Sequence, residues 1–323
     1  MRRRVSLVRG SVPRSLGRCT AVLCAAGVAL TAGCGRKAAG AGTETPKGGE
    51  VTIQVKGSDT MVNLAQAWAE AYKKVRPEVE VEVSGGGSGV GIAALSRGTI
   101  DIATASRNMK DSEREQAKAN TGKDPVGLVV GYDALAVYVH KDNPLDTITA
   151  GTLAGIFGED GAIGKWSQLG VTIPKIRDQR IVRVSRQSSS GTYEFFREHV
   201  LRKKDFKLGS LDMNGSKEVV ELVAGAKTAI GYSGMGYATD QVKMLRVAAA
   251  DGDTAFEPSV ANTQTRRYPL ARSLLVYTLG EPQGEVKAFI EWMLSAAGQR
   301  IVQESGYVPL AERKEEWKDG GME

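Results

Sequence analysis

Arg180-Ile181-Val182-Arg183-Val184-Ser185-Arg186-Gln187-Ser188-Ser189-Ser190-Gly191-Thr192 is the stretch whose reading decides the fold. Its first part, Arg180 to Val184, reads as a strand, and the run from Tyr193 to Lys203 reads as a helix. Between them lies a turn of small polar residues. A helix N-terminus exposes backbone N–H groups with no intrahelical partner, and the aligned peptide dipoles put partial positive charge at that end. Small side chains let an oxyanion come close. Ser188, Ser190, Gly191 and Thr192 therefore form a candidate anion cradle, with Arg186 upstream supplying a planar, permanently charged fork.

Two similar turns lie upstream. Gly57-Ser58-Asp59-Thr60 follows strand-like Val51 to Lys56, and Gly85-Gly86-Gly87-Ser88-Gly89 follows the alternating Val79, Val81 and Val83. One such turn alone is usually a helix cap and a tight turn. Three at the same structural position argue for several helix N-termini aimed at one anion. Met61, Leu64, Ala65, Trp68, Tyr72 and Val75 recur at helical spacing up to Pro77, and Trp68 and Tyr72 read as core. A small-residue helix is expected over Gly89 to Ser96, then strand Ile100 to Ala103. Val126 to Val139 is a long apolar stretch broken at Gly131-Tyr132-Asp133, where the chain is expected to enter a second lobe. Helices over Ala150 to Phe157, Lys217 to Ala224 and Val286 to Leu294 continue the pattern, the last packing back on the first lobe. The alternation predicts an α/β fold with mostly parallel sheets flanked by helices.

The 323 residues suffice for two compact lobes, and 41% hydrophobic with 25% charged is ordinary for a globular protein. The net charge of +6 misleads. Residues 1–33 carry six arginines (Arg2, Arg3, Arg4, Arg9, Arg14 and Arg18) and no Lys, Asp or Glu, so beyond them Lys+Arg falls from 43 to 37 against 37 Asp+Glu. A neutral body removes the electrostatic case for a nucleic-acid partner.

The N-terminus reads as an export signal: an arginine-rich segment, an apolar run from Ala21 to Ala32 too short to span a bilayer, then small residues. Leu30-Thr31-Ala32-Gly33-Cys34 resembles a lipoprotein signal that leaves Cys34 to carry lipid, although the large aliphatic residue sits four before the cysteine rather than three. A plain secretory signal is the alternative. Cys19 and Cys24 would leave with the signal, so no intramolecular disulfide and no thiolate metal site are expected. Gly35 to Glu50 reads as a flexible tether. The expected organisation is 1–33 signal, 34–50 tether, 51–133 with 270–323 the first lobe, and 134–269 the second.

Taken together, Gly57-Ser58-Asp59-Thr60-Met61, Gly85 to Gly89, Ala105-Ser106-Arg107, Arg186 to Thr192, Ile230-Gly231-Tyr232, Tyr268-Pro269-Leu270 and Gly306-Tyr307-Val308-Pro309-Leu310 carry a specific resemblance. Over about residues 51 to 310 the chain resembles the phosphate-binding subunit of high-affinity phosphate ABC importers. The resemblance implies a two-lobed periplasmic-binding-protein fold with a hinge, inorganic phosphate as ligand, ABC permease subunits as partners, no cofactor, no metal, and a monomer held at the outer face of the cytoplasmic membrane. Carried over by position, it places Thr60, the Met61 N–H and Ser88 on the anion from the first lobe, and Arg186, Ser190, Gly191 and Thr192 from the second; Ser58, Asp59, Gly89, Ser106, Arg107 and Ser188 complete the candidate site. One form of the family has aspartates at the positions of Arg107 and Ser188.

A carboxylate in the site would accept the proton that phosphate carries and repel sulfate. Asp59 is the candidate acceptor, with a helix N-cap as its alternative role. Arg107 is expected to contact the anion, to hold Asp59, or to pair with acids at the surface. Among binding proteins the competing ligands are sulfate, molybdate or tungstate, and the competing role is a phosphate-sensing lipoprotein. A hydrolase is disfavoured: Ser190 would need a base, the chain has only His140 and His199, and no glycine-lysine phosphate loop is present.

Overall fold

The computed structural model describes residues 51–311. The export signal, Cys34 and the tether lie outside the described residues. The chain opens with β1 (Val51–Gly57), α1 (Val62–Val75), β2 (Val79–Ser84), α2 (Ser88–Ser96), β3 (Ile102–Ala105), α3 (Asp111–Thr121) and the long β4 (Pro125–His140). Next come β5 (Thr147–Thr149), α4 (Ala150–Phe157), β6 (Val182–Arg186), α5 (Gly191–His199), β7 (Leu211–Met213), α6 (Ser216–Gly225), β8 (Ala229–Gly234), β9 (Val242–Met244), β10 (Arg246–Ala248) and α7 (Val260–Gln264). The chain returns through β11 (Ala271–Leu279), α8 (Gly284–Leu294) and α9 (Ala296–Glu304).

The strands run in the order β2-β1-β3-β11-β4-β8-β6-β7, with β9 also on β4. β1 pairs in parallel with β2 and β3, and β6 with β7 and β8. The exceptions to a parallel sheet are β4 and β11. They pair antiparallel with each other and with their outer neighbours, because one carries the chain out of the first lobe and the other brings it back. Each lobe has its own apolar core, one built around Trp68, Tyr72, Phe289 and Ile290, the other around Phe157, Trp166, Phe196 and Tyr232. Two packed cores joined by two strands make a two-lobed α/β molecule with a hinge at the crossing.

The expected break at Gly131-Tyr132-Asp133 is absent: β4 runs unbroken through it. A shift in register between Leu274 and Leu275 instead leaves Val130 as an extra residue opposite β11, a bulge that turns the strand without ending it. The helix expected from Tyr193 to Lys203 begins earlier and ends sooner. Ser190 caps it, accepting from the N–H groups of Thr192 and Tyr193. It stops at His199, and Arg202 and Lys203 adopt φ of 54° and 68°, outside the helical region. α8 does return to the first lobe, where Phe289 packs on Tyr72 with ring centroids 4.9 Å apart.

Candidate functional site

Four segments converge where the lobes meet. From the first lobe come Ser58 to Thr60 ahead of α1, Gly87 to Gly89 at the start of α2, and Ser106 just past β3. From the second comes Ser189 to Thr192 at the start of α5. Ser58 Oγ donates to Ser106 Oγ at 3.0 Å, the Ser106 N–H donates to Ser88 Oγ at 3.1 Å, and Thr60 Oγ1 lies 2.9 Å from Thr192 Oγ1 across the cleft. All of these side chains are buried. A Cβ on Gly191 would lie 2.3 Å from Ser88 Oγ and 2.7 Å from Ser106 Oγ, so this position tolerates no side chain while the lobes are together.

The lobes are closed on each other. The Gly89 N–H donates to the Ser189 carbonyl at 2.9 Å, Ser189 Oγ donates to the Gly86 carbonyl at 3.3 Å, and Lys110 reaches Glu194 on α5 at 2.7 Å. Gly87, at φ 98°, lies so near that a Cβ would sit 2.6 Å from the Ser189 carbonyl oxygen. Its positive φ and this contact both require glycine.

Arg186, at the end of β6, is 0% exposed. Its Nη1 donates to Ser216 Oγ at 3.0 Å, and its Nη2 donates to the Asn214 carbonyl at 3.0 Å and to Asp59 Oδ2 at 2.8 Å. Its Nε is buried and has no partner. Burial pulls the Arg186 guanidinium below its ordinary value, opposed by the Asp59 charge. Asp59 is not a helix cap, since its Oδ1 accepts the Gly86 N–H at 2.7 Å, and α1 has no side-chain cap. The loop carrying it is held by the Tyr237 hydroxyl, which donates to the Asp59 carbonyl at 2.7 Å, and by the Tyr307 hydroxyl, which donates to that of Thr60.

Not every candidate residue joins this cluster. Ser188 is exposed. The Met61 side chain lies in the first lobe's core, and its N–H is used in a turn to the Ser58 carbonyl at 2.9 Å. Arg107 neither holds Asp59 nor lies at the surface. It is 9% exposed and donates through Nη1 and Nη2 to Glu113 at 2.8 and 2.7 Å, with a further bond from Nη1 to the Asn108 carbonyl. Burial works against charge on both partners, yet their mutual hydrogen bonds prevail, leaving Arg107 raised and Glu113 lowered. The acid that captures Arg107 lies six residues on, in the first turn of α3, and also accepts the Lys110 N–H at 2.9 Å. Gly89 Cα remains close to Arg107, since a Cβ there would be 3.6 Å from Nη2.

Two buried charged residues beside the site escaped the sequence reading. Arg272 on β11 and Asp133 on β4 form a buried pair, with Arg272 Nε and Nη2 donating to Asp133 Oδ2 at 2.9 and 2.7 Å. The available signal was one charged residue inside each of two long apolar runs, which in a folded core require each other. An open cavity of about 690 Å³ beside the hinge is lined by Tyr132, Thr263, Gln264, Arg266, Tyr268 and Arg272 among others. Its lining includes Arg272 but none of the residues of the serine and glycine turns. His199 stacks on Phe195 with centroids 3.9 Å apart, and His140 Nδ1 accepts the Asp142 N–H at 3.1 Å. Neither is a hydrogen-bond partner of Ser190.

Serine, threonine and arginine donors from two lobes around a hinge are the make-up of a substrate-binding protein. The chain belongs to the PBP superfamily, whose domain model matches residues 38–297. It is similar to the phosphate-binding protein PstS of Pseudomonas aeruginosa, 35% identical over 264 residues that cover 79% of this chain and 81% of the relative. It is also similar to PstS of Bacillus subtilis, 30% identical over 299 residues covering 91% and 94% of the two chains. Among solved structures, a phosphate ABC transporter substrate-binding protein from Clostridium perfringens with bound phosphate superposes with a TM-score of 0.71 at 30% identity, covering 80% of this chain and all of that one.

Proposed function

We propose that this protein binds inorganic phosphate in the closed cleft and delivers it to an ABC import permease. The observation that carries this reading is the buried Arg186, whose Nε is left without a partner while its Nη2 reaches Asp59 across the cleft. A buried, unpaired guanidinium N–H is costly unless an acceptor meets it. Backbone and hydroxyl donors at the start of α2 and α5 add to it with the favourable ends of the helix dipoles. The likeness to PstS proteins and to a phosphate-bound neighbour supports phosphate as the anion. The proposed contacts are Asp59, Thr60, Ser88, Gly89, Ser106, Arg186, Ser190, Gly191 and Thr192, with Ser58 holding Ser106 in place. The proposed lobes divide near 134 and 270.

Asp59 supports phosphate over sulfate. Its carboxylate lies at the cleft with lone pairs beyond those taken by Gly86 and Arg186, so it can accept the proton that phosphate retains. Calorimetric titration tests both claims. Phosphate should bind one-to-one and sulfate far more weakly, while sulfate, molybdate or tungstate binding as tightly as phosphate would overturn the assignment.

The protein is proposed to be exported as a monomer and anchored by lipid at Cys34, with the following segment as tether. Replacing Cys34 by Ser should move it from the membrane to the soluble extracytoplasmic fraction. Retention at the membrane would refute the lipid anchor.

A further inference from the structure

Beneath the serine cradle, one guanidinium touches both lobes. Besides its two bonds to Asp133, Arg272 donates from Nη1 to Thr192 Oγ1 at 3.0 Å and from Nη2 to Thr60 Oγ1 at 3.2 Å. Thr60 precedes α1 of the first lobe and Thr192 opens α5 of the second. The two hydroxyls lie 2.9 Å from each other, and Thr60, Thr192 and Arg272 are 1%, 0% and 5% exposed.

The hydrogen-bonding capacity of these groups fixes their polarity. A threonine hydroxyl has one proton and two lone pairs, whereas a guanidinium only donates. Arg272 therefore fills one lone pair on each threonine. When one threonine donates to the other, the acceptor's second lone pair is filled too, and its own proton can go only to a group outside the trio. When an anion enters, both protons can turn to it while Arg272 keeps its hold on each oxygen. Without ligand one threonine presents its proton to the cleft and the other a free lone pair; with an oxyanion bound both protons can point to it, an arrangement that suits unprotonated oxygens.

Asp133 keeps the fork in place. Asp133 and Arg272 are paired neighbours on β4 and β11, the two strands that cross between the lobes. The other oxygen of Asp133 accepts the Met235 N–H at 3.1 Å. The fork is thus fixed to the hinge, and the two threonines share it only when the lobes are together.

We propose that Arg272, held by Asp133, is a positioning residue of the anion site that holds the Thr60 and Thr192 oxygens so that both hydroxyls donate to the bound anion. The inference rests on the phosphate-binding reading. It assigns the two protonation faces of the ligand: unprotonated oxygens toward Thr60 and Thr192, the protonated oxygen toward Asp59.

A double-mutant cycle read by phosphate titration tests it. Arg272→Lys keeps the charge and the link to Asp133 but loses the planar fork, so phosphate should bind about tenfold more weakly. In a Thr60→Val/Thr192→Val background the same change should cost less than about twofold, because there are no hydroxyls left to orient. An equal fold-loss in both backgrounds would overturn the proposal, as Arg272 would then act as a distant charge or as scaffold. Melting of each ligand-free variant shows whether it is folded. Should Arg272→Lys fail to fold, Asp133→Asn takes its place in the cycle and must show the same coupling. Wild-type protein that gives no heat with phosphate would overturn the phosphate reading and this inference together, whereas wild-type binding with an additive cycle overturns this inference alone.

Discussion

Two arginine–aspartate pairs lie in the middle of this molecule and are put to opposite uses. Arg272–Asp133 joins neighbouring strands, with side chains 2% and 0% exposed. Arg186–Asp59 joins residues 127 apart in sequence and in different lobes, with Asp59 15% exposed. The first pair persists when the cleft opens, because Asp133 and Arg272 are directly opposed residues on the hydrogen-bonded strands β4 and β11. The second exists only in the closed form. Full burial raises the Asp133 carboxyl, with the Arg272 charge and hydrogen bonds opposing it. A pair so placed belongs to the folded framework. A pair that bridges the cleft, with the guanidinium Nε–H unpaired, can exchange part of its bonding for a ligand.

The largest expected effect follows from removing one member of the inner pair. Asp133→Ala would leave Arg272 charged and buried without its partner, at a cost of about 3–5 kcal/mol. Urea denaturation without ligand measures this. A loss below 1 kcal/mol would show that the inner pair is not part of the framework.

Arg186→Ala should act on binding instead. Loss of a charge-assisted donor in a desolvated site should weaken phosphate by about 2 kcal/mol or more, against roughly 1 kcal/mol for Ser190→Ala. Titration of both variants gives the order, and equal, negligible effects would remove the anion from this turn. Gly191→Ala should hold the lobes apart, since the new methyl would press on Ser88 and Ser106. Small-angle scattering with saturating phosphate should then show no decrease in radius of gyration where the wild type does.

Asp59→Asn offers a finer comparison. Its new N–H₂ group must meet either the Gly86 N–H or Arg186, so phosphate should weaken several-fold and the ratio of phosphate to sulfate affinity should narrow. An unchanged ratio places the proton acceptor elsewhere.

The smallest effect concerns Glu113. Its folded pKa lies below the unfolded one, so the contribution of its pair with Arg107 is fully present above the ordinary glutamate value and is lost as pH falls through the folded value. Glu113 is partly exposed, and after solvent screening the pair contributes about 1 kcal/mol or less. Glu113→Gln should flatten the acid limb of the stability profile slightly, as followed by thermal melting from neutral to acid pH, with phosphate affinity at neutral pH unchanged.

Local chemistry determined much of this protein from sequence alone. Alternating valines make β2 whatever surrounds them, the three- and four-residue spacing from Met61 to Val75 makes α1, and Ser190 ahead of Gly191 starts α5 through bonds to its own first turn. Those signals depend on residues within one turn or one strand, so they placed the anion-site turns at helix starts. Tertiary structure alone decided which partners the charged groups took. Arg107 went to Glu113 rather than Asp59, Asp59 to Arg186 rather than to its own helix, and Arg272 to Asp133 and two threonines. A buried charge is satisfied by whatever lies within about 3 Å in space, and the fold brings together residues 18 to 247 apart in sequence at this site.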